Sequence, residues 1–520
     1  MTSHRRLLVA DAVRTARGVH GNAILFDGNR VVAAGDRRTL DAPGLTVHEY
    51  PGAYLIPGIR DAHMHPVPYA SSLYGTSLDA ATSIGMLQDT IRAGSAVLSP
   101  GSPFIALRLD DESMVERRLP TRADLDAAAP DRPVLIHRYC GHVAIANTAA
   151  LAMAGVDGST ADPSDGSIDR DSDGEPTGVL RETAIDLVST RLDASGSVTD
   201  QILLDALTGL AGMGITSIGA ILGLGDGPWA SLGDEVTRMV SVADRLPISV
   251  HAFIIAHTAN ALAEAARRLD VGSDRLRWLG YKGFADGSLG GHTAAMHAPF
   301  ADRPDELGTM RLDASDRELA VASLEMGGMV AIHAIGDRAN GAVIDLYAEL
   351  IDDGADPRKL RIEHASVLGR SDINRIARLG VVASVQPAFL GSEFEWIADR
   401  VGADRIVSTY PFASMDFAGV RMCGGSDSPV ESPDPWAGMA LARDRAGVMP
   451  GEGLLPDRAL SLFTDGAAAA LGEQLPLSPG SPADLVIVDR DPVASDPDQL
   501  RETVVYETWV RGERADIGAT

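Results

Sequence analysis

Met329-Val-Ala-Ile-His-Ala-Ile-Gly-Asp-Arg338 is followed by a helical pattern to Ile351 and then by the run Leu360-Arg-Ile-Glu-His-Ala365, and this succession indicates the fold. A short apolar run of β type leads into a longer helical segment and then into a second apolar run, which is the pattern of a βα unit beside a parallel sheet. Each apolar run carries a histidine near its end. The pattern predicts parallel strands whose carboxyl ends bear polar side chains.

The same alternation continues on both sides of this unit. Eight apolar runs are candidate parallel strands, at residues 54–59, 215–218, 248–255, 276–284, 329–335, 360–365, 381–385 and 420–423. Eight is the strand count of a (β/α)8 barrel of the TIM type. A doubly wound open sheet is the alternative, but no GxGxxG turn opens any of these units.

The two ends of the chain have a different pattern, with short strands separated by Gly and Asp turns. We predict that residues 1–57 and 471–520 pair as one composite β-sandwich. The barrel is then expected from residues 58–72 and 180–470, with residues 73–179 inserted over its mouth. Within that insert, residues 157–177 are rich in Gly, Asp, Ser and Pro, which predicts a loop.

Composition narrows the possible partners. The chain has 520 residues, and its 45 basic and 72 acidic residues give a net charge of −27, which disfavours nucleic acid and anionic membranes. Only two cysteines occur, Cys140 and Cys423, so neither a disulfide framework nor a thiolate zinc site is expected. This cysteine content fits a protein of the reducing cytoplasm.

The uncharged stretch 206–225 contains six glycines and predicts a helix end, a strand and a loop, with a membrane-spanning helix as the alternative.

Paired histidines mark a candidate metal site in Pro57-Gly-Ile-Arg-Asp-Ala-His63-Met-His65. Side chains two residues apart at the end of a strand lie on the same face, so both imidazoles can bind one ion. Three further donors follow apolar strands: His333, His364 and Asp427. This nitrogen and oxygen set suits zinc, with manganese, iron or nickel as alternatives.

Lys282 is one of only two lysines, and it lies in the apolar strand Trp278-Leu-Gly-Tyr-Lys-Gly-Phe284. Burial lowers the pKa of a lysine, and the neutral amine can add carbon dioxide to form a carbamate, an anionic ligand that can bridge two metals. Arginine, which stays protonated, cannot do this. The alternative is an ordinary ion pair of Lys282 with Asp286 or another acid.

The order of motifs resembles the amidohydrolase superfamily, and within it the YtcJ-like branch, amidohydrolase family 3, which includes N-substituted formamide deformylases. The motifs are HxH, a strand lysine followed by Asp-Gly-Ser-Leu-Gly, His-Ala-Ile-Gly-Asp-Arg-Ala, Arg-Ile-Glu-His, Ser-Val-Gln-Pro and Gly-Ser-Asp-x-Pro-Val. The resemblance implies a metal-dependent hydrolase, often a homodimer, with one or two ions. The metal ligands it implies are His63, His65, Lys282 as N6-carboxylysine, His333, His364 and Asp427.

Two positions depart from the pattern of this family. Gly291-His292-Thr293 stands where the family usually has Ser-Arg-Thr, and Phe389 stands where it usually has a histidine. Both lie near the barrel mouth, so we expect a different substrate pocket around an unchanged metal site. His142, in the insert, matches a family histidine that faces the substrate.

The expected reaction is hydrolysis of a C–N bond of amide or formamide type in a small organic substrate, by attack of metal-activated hydroxide. Asp427 is the candidate proton shuttle, and His142, His292 or Tyr281 would stabilise the oxyanion or orient the substrate. The alternatives are a deaminase, a cyclic amide or lactone hydrolase, and a non-catalytic metal-binding or regulatory protein. Four aromatic residues are expected to lie at the barrel mouth and bind the substrate, or else to belong to the core: Tyr69, Tyr74, Phe389 and Trp396.

Overall fold

A computed structural model describes residues 5–99, 101–139, 141–163, 166–192, 198–225 and 233–516. It contains an eight-stranded parallel sheet, a six-stranded sheet and an eight-stranded mixed sheet. The parallel sheet curls into a nearly closed barrel, the six-stranded sheet belongs to the insert, and the mixed sheet joins the two ends of the chain. The predicted α/β class with a (β/α)8 barrel is confirmed.

The barrel strands, in chain order, are β1 (Ile59–Met64), β2 (Ile215–Gly223), β3 (Ser249–Ile255), β4 (Leu276–Phe284), β5 (Met329–Ala334), β6 (Leu360–His364), β7 (Val382–Val385) and β8 (Arg421–Gly424). Each strand pairs in parallel with the next. Past β8, the Asp427 N–H donates to the His63 carbonyl at 2.7 Å and the His65 N–H donates to the Ser428 carbonyl at 2.8 Å. These bonds bring the first and last strands together at their carboxyl ends.

The first barrel strand lies later than predicted. The apolar run at 54–59 spans two strands, because Thr46–Pro57 belongs to the mixed sheet and β1 begins at Ile59. Gly58 lies between them, and its N–H donates to the Asp484 carbonyl at 2.8 Å. A Cβ at this position would lie 2.3 Å from the Thr216 hydroxyl, so only glycine fits where the chain passes from one sheet to the other.

Helices cover the outside of the barrel. Asp337–Asp352 buries Val343, Ile344, Tyr347 and Leu350 along one face, the spacing expected for an amphipathic helix. The other barrel helices that follow strands are Asp200–Gly212, Glu235–Ser241, Ala259–Leu269, Ala314–Glu325, Arg370–Leu379 and Phe412–Phe417. The remaining α-helices are Arg37–Leu40, Pro66–Tyr74, Ile84–Val97, Arg122–Asp126, Thr148–Ala154, Asp186–Ser189, Phe389–Glu393, Ile397–Val401, Pro435–Asp444, Pro456–Leu462, Asp465–Ala470 and Pro497–Arg501.

The mixed sheet confirms the predicted pairing of the two ends. Its central contact is the antiparallel pair of Leu485–Val488 with Thr46–Pro57. Alternate residues of the short C-terminal strand face opposite ways, so Ile487 packs in the core of the sheet while Val486 and Val488 pack against the barrel. The other strands are Arg5–Thr15, Gly18–Val19, Ala23–Asp27, Arg30–Gly35, Val505–Val510 and Glu513–Arg514.

The insert forms its own sheet, with strands Thr76–Ser77, Phe104–Leu109, Val134–Arg138, Val143–Ala146, Gly166–Arg170 and Pro176–Glu182. The predicted loop at 157–177 is therefore wrong in part. Gly166–Arg170 pairs antiparallel with Pro176–Glu182. Ser167, Asp169 and Arg170 are partly exposed and residues 171–174 form the turn of this hairpin, while Ile168 is buried.

The glycine-rich stretch at 206–225 has the predicted organisation, with the end of helix Asp200–Gly212 followed by β2. Across the described ranges, no helix has the length and apolarity needed to cross a membrane.

Cys423 is buried without a disulfide partner among the described residues, and Cys140 lies outside them.

Candidate metal centre

Three donor side chains meet at the carboxyl ends of β1 and β8. The Nε2 atoms of His63 and His65 lie 3.3 and 3.2 Å from Oδ1 of Asp427. One donor atom from each residue can be chosen so that all lie within 4.8 Å of one another. Two imidazole nitrogens and a carboxylate oxygen at this spacing fit a divalent transition metal.

The backbone at the strand ends directs these donors into the barrel. Asp427 has φ of +60° and His364 has φ of +72°, a left-handed conformation that non-glycine residues rarely adopt. Asp427 is held there by its own N–H bond to His63 and by the Val430 N–H, which donates to the Asp427 carbonyl at 2.9 Å. Such conformations persist only where the surroundings fix them, and they are concentrated at functional sites.

The remaining predicted ligands, Lys282, His333 and His364, lie beside this cluster. The ring centroids of His333 and His364 are 4.4 Å apart, and those of His63 and His364 are 5.2 Å apart. All six predicted ligands line one cavity of about 580 Å³. The structure thus brings the six residues together, although they come from five different barrel strands or strand ends.

Lys282 is fully buried and has no carboxylate within 4.0 Å among the described residues; its Nζ lies 4.0 Å from the Phe284 ring centroid. Burial lowers the pKa of Lys282 to about 8, partly offset by Glu363 and Asp427. Asp286, the alternative partner, instead accepts N–H bonds from Ala295, Ile335 and Gly336. The alternative ion pair with Asp286 is therefore not formed.

Burial shifts the pKa of three histidines of the site. It lowers the pKa of His65, His333 and His364, in the last two cases well below the usual value. For Asp427, burial would raise the pKa, but the histidines around it hold the pKa well below its usual range. Neutral imidazoles at His65, His333 and His364, beside an ionised carboxylate, are the protonation states that metal coordination requires. For His63, burial would lower the pKa, but Glu363 and Asp427 raise it above its usual value.

Glu363, on β6, belongs to the site, although it is not among the ligands predicted from the sequence. Its Oε2 lies 2.5 Å from Nδ1 of His63, and its Oε1 lies 2.8 Å from Nε of Arg361. Burial would raise the pKa of Glu363, but Arg361 and His63 lower it below its usual range. A carboxylate on one ring nitrogen orients the imidazole and leaves Nε2 for the metal. Its inward position in the Arg-Ile-Glu-His strand was the signal that could have identified it.

The cavity lies between the barrel mouth and the insert. The insert contributes Leu107, Leu135 and the candidate catalytic residue His142, and helix Pro66–Tyr74 contributes Tyr74. Phe389 is buried and stacks on His364, with ring centroids 5.8 Å apart and planes 20° apart. Glu235 also lines the cavity, and burial raises its pKa to about 8. No motif in the sequence indicated this residue.

Five predicted residues do not line the cavity, and one of them is Phe389. Tyr281 neighbours Lys282 on β4 and so faces away from the barrel axis, where its hydroxyl donates to Asp316 at 2.7 Å. Tyr69 and Trp396 are buried in the hydrophobic core, as the alternative interpretation held. His292 is buried outside the cavity lining, with Nε2 3.1 Å from Oδ2 of Asp302. The structure thus places these residues outside the cavity lining, and their contact with substrate stays a prediction.

The barrel and the site at its carboxyl end define the class as a metal-dependent hydrolase. Residues 51–515 match the model of the amidohydrolase family, and the chain belongs to this family. It is 30% identical to the protein YtcJ of Bacillus subtilis (strain 168), over 89% of each chain.

Two further relatives extend over nearly the whole chain. The N-substituted formamide deformylase of Arthrobacter pascens is 28% identical, over 98% of both chains. The crystal structure of an uncharacterized metal-dependent hydrolase from Pyrococcus furiosus is similar with a TM-score of 0.72 and 28% identity, covering 94% of this chain and 100% of that one. The similarity therefore includes the mixed sheet and the insert as well as the barrel.

Proposed function

We propose that this protein hydrolyses a C–N bond of amide or formamide type in a small organic molecule, with a divalent metal as cofactor. The observation that carries the proposal is the convergence of His63, His65 and Asp427 at the floor of a cavity that has an apolar wall. The similarity to a formamide deformylase over nearly the full chain supports the bond type.

Zinc is the proposed metal, as one or two ions. Its ligands would be the donor set His63, His65 and Asp427, joined by His333, His364 and a carboxylated Lys282. When bound, the metal would polarise the scissile carbonyl and lower the pKa of a water molecule. The lowered pKa values of His65, His333 and His364 and the low pKa of Asp427 support this assignment.

Asp427 is proposed to transfer the proton. Its carboxylate lies at hydrogen-bond distance from both paired histidines and has a pKa well below the usual range, so it is ionised and can accept a proton from attacking water. The same carboxyl would then donate that proton to the leaving nitrogen.

The rest of the cavity is proposed to bind the organic part of the substrate. Leu107, Leu135 and Val430 offer apolar surface, and Tyr74 lies at the rim with its side chain largely exposed. A hydrophobic substituent on the amide nitrogen would bury apolar area here, at about 25 cal/mol per Å². His142 is proposed to hydrogen-bond to the reacting amide.

A hydrolysis screen with purified, metal-analysed protein tests the proposal. Candidate substrates are N-formyl amines, acyl amides, cyclic imides, lactones and aminated heterocycles, each assayed with added zinc or manganese and after chelation. We expect metal-dependent release of an amine from an amide or formamide. Ammonia release from the heterocycles would instead indicate a deaminase, and protein that binds no divalent metal would overturn the proposal.

A further inference from the structure

Glu182 is a buried carboxylate at the junction of the insert and the barrel. It ends the insert strand Pro176–Glu182 and is 5% exposed. Its Oε2 lies 2.8 Å from Nδ1 of His142 and 3.1 Å from Nη1 of Arg311. A histidine from the insert and an arginine from the loop after β4 therefore share one carboxylate oxygen.

The backbone holds Glu182 in a costly conformation. Its φ of +53° and ψ of −130° lie in a region that residues with a side chain rarely adopt. The Glu182 N–H donates to the carbonyl of His142 at 3.0 Å, so the two residues are joined by backbone as well as by side chain. This double connection fixes the carboxylate relative to the imidazole.

A glycine beside Glu182 leaves the space that the carboxylate occupies. A Cβ at Gly287, just after β4, would lie 2.3 Å from Oε1 of Glu182, so a side chain at Gly287 would displace the carboxylate. Burial would raise the pKa of Glu182, but His142 and Arg311 outweigh it and lower the pKa below its usual value. The carboxylate is therefore ionised where it meets His142.

The ring of His142 lies between Glu182 and the candidate metal centre. It lines the cavity, and its centroid is 5.6 Å from that of His333. A carboxylate at Nδ1 selects the tautomer protonated on that nitrogen and restricts ring rotation. Nε2 is then the atom of this ring that would act on a substrate.

We propose that Glu182 is a positioning residue that fixes the His142 ring, with Nδ1 protonated and Nε2 directed to the reacting amide. The proposal rests on the proposed function, because His142 needs a substrate on which to act. It assigns to the insert a part in the chemistry as well as in covering the barrel mouth.

A double-mutant cycle tests the coupling. With a substrate from the screen, Glu182→Gln should lower kcat by about 10-fold to 100-fold, as expected for loss of an orienting partner, with KM and metal content nearly unchanged. The double variant Glu182→Gln with His142→Ala should be no slower than His142→Ala alone. Glu175→Gln, an exposed change in the same hairpin, should match wild type. Multiplicative losses in the double variant would overturn the proposal.

Nitrogen-15 spectra of histidine-labelled protein give a readout that needs no substrate. The His142 ring, assigned from the resonances lost in His142→Ala, should be protonated at Nδ1 in wild type and should change its tautomer balance in Glu182→Gln. An Nδ1 without a proton in wild type would overturn the positioning role. If the screen yields no substrate, the proposed function fails while this measurement still decides the position of His142.

Discussion

At the scale of single residues, the candidate site depends on side chains whose usual behaviour is altered by burial. Burial lowers the pKa of Lys282 to about 8, whereas Asp427 keeps its charge because histidines surround it. Glu363 orients His63 from the opposite side. Single substitutions at Asp427 and Lys282 should therefore differ in their effects on turnover and on metal content.

Replacing Asp427 with Asn should remove the proton acceptor and keep an oxygen donor for the metal. We expect turnover of a substrate from the screen to fall at least about 100-fold, the usual contribution of a general base, with metal content retained. Steady-state kinetics and metal analysis on the same preparation measure both. The exposed Asp399→Asn is the matched control, and normal turnover in Asp427→Asn would remove Asp427 as the proton shuttle.

Lys282→Arg should keep a positive charge and prevent carbamate formation, because arginine stays protonated. We expect loss of metal and activity together, and added bicarbonate should not restore either. Lys359→Arg is the control, since Lys359 donates to the Gly327 carbonyl at 2.8 Å, away from the cavity. Full metal loading and activity in Lys282→Arg would contradict the carboxylated lysine.

At the scale of secondary-structure elements, the segment after helix Asp465–Ala470 closes the amino-terminal end of the barrel. Glu473 lies 2.6 Å from Nε of Arg60 on β1 and 2.6 Å from Nε2 of His251 on β3. The Ser217 hydroxyl on β2 donates to the same carboxylate at 2.6 Å. One side chain from outside the barrel therefore joins its first three strands.

Glu473→Ala should leave Arg60 buried without its nearest partner, at a cost of about 3–5 kcal/mol. We expect a clearly lower Tm by calorimetry at one fixed scan rate. The control Asp498→Ala removes a carboxylate that is 97% exposed and should leave Tm nearly unchanged. An equal Tm for Glu473→Ala and wild type would show that the buried network contributes little.

At the scale of the whole molecule, buried carboxyl groups couple stability to pH. Glu393 accepts a hydrogen bond from Tyr410 at 2.6 Å, and burial raises the pKa of Glu393 from 4.5 to about 7. The folded state therefore holds a proton that the unfolded chain has lost between these pH values. Its stabilising contribution is present below pH 4.5 and is lost as pH rises through 7.

Glu393→Gln should accept the Tyr410 hydrogen bond and remove this titration. The variant should gain stability over wild type as pH rises from 5 to 8, by roughly 2–3 kcal/mol. Tm of both proteins, measured across this pH range, tests the sign. The exposed neighbour Glu395→Gln should show no such trend, and a constant Tm difference for Glu393→Gln would contradict the assigned pKa.

Local sequence patterns predicted most of the barrel strands and the candidate metal ligands. Strand periodicity placed seven of the eight strands, and each donor lies at or just past the end of a strand because parallel strands present their carboxyl ends on one side. The first strand was misplaced because its apolar run continues across Gly58 without a polar break.

The tertiary structure determines which residues surround the candidate site. The amino-acid sequence alone predicted the barrel, the pairing of the two ends and six candidate donor residues, because these predictions depend on local periodicity and spacing. Only the folded chain decided that Tyr281 and His292 lie outside the cavity, and that Glu363 and Glu182 orient His63 and His142. Those contacts join residues 300 and 40 positions apart, and no local pattern encodes which buried carboxylate will meet which imidazole.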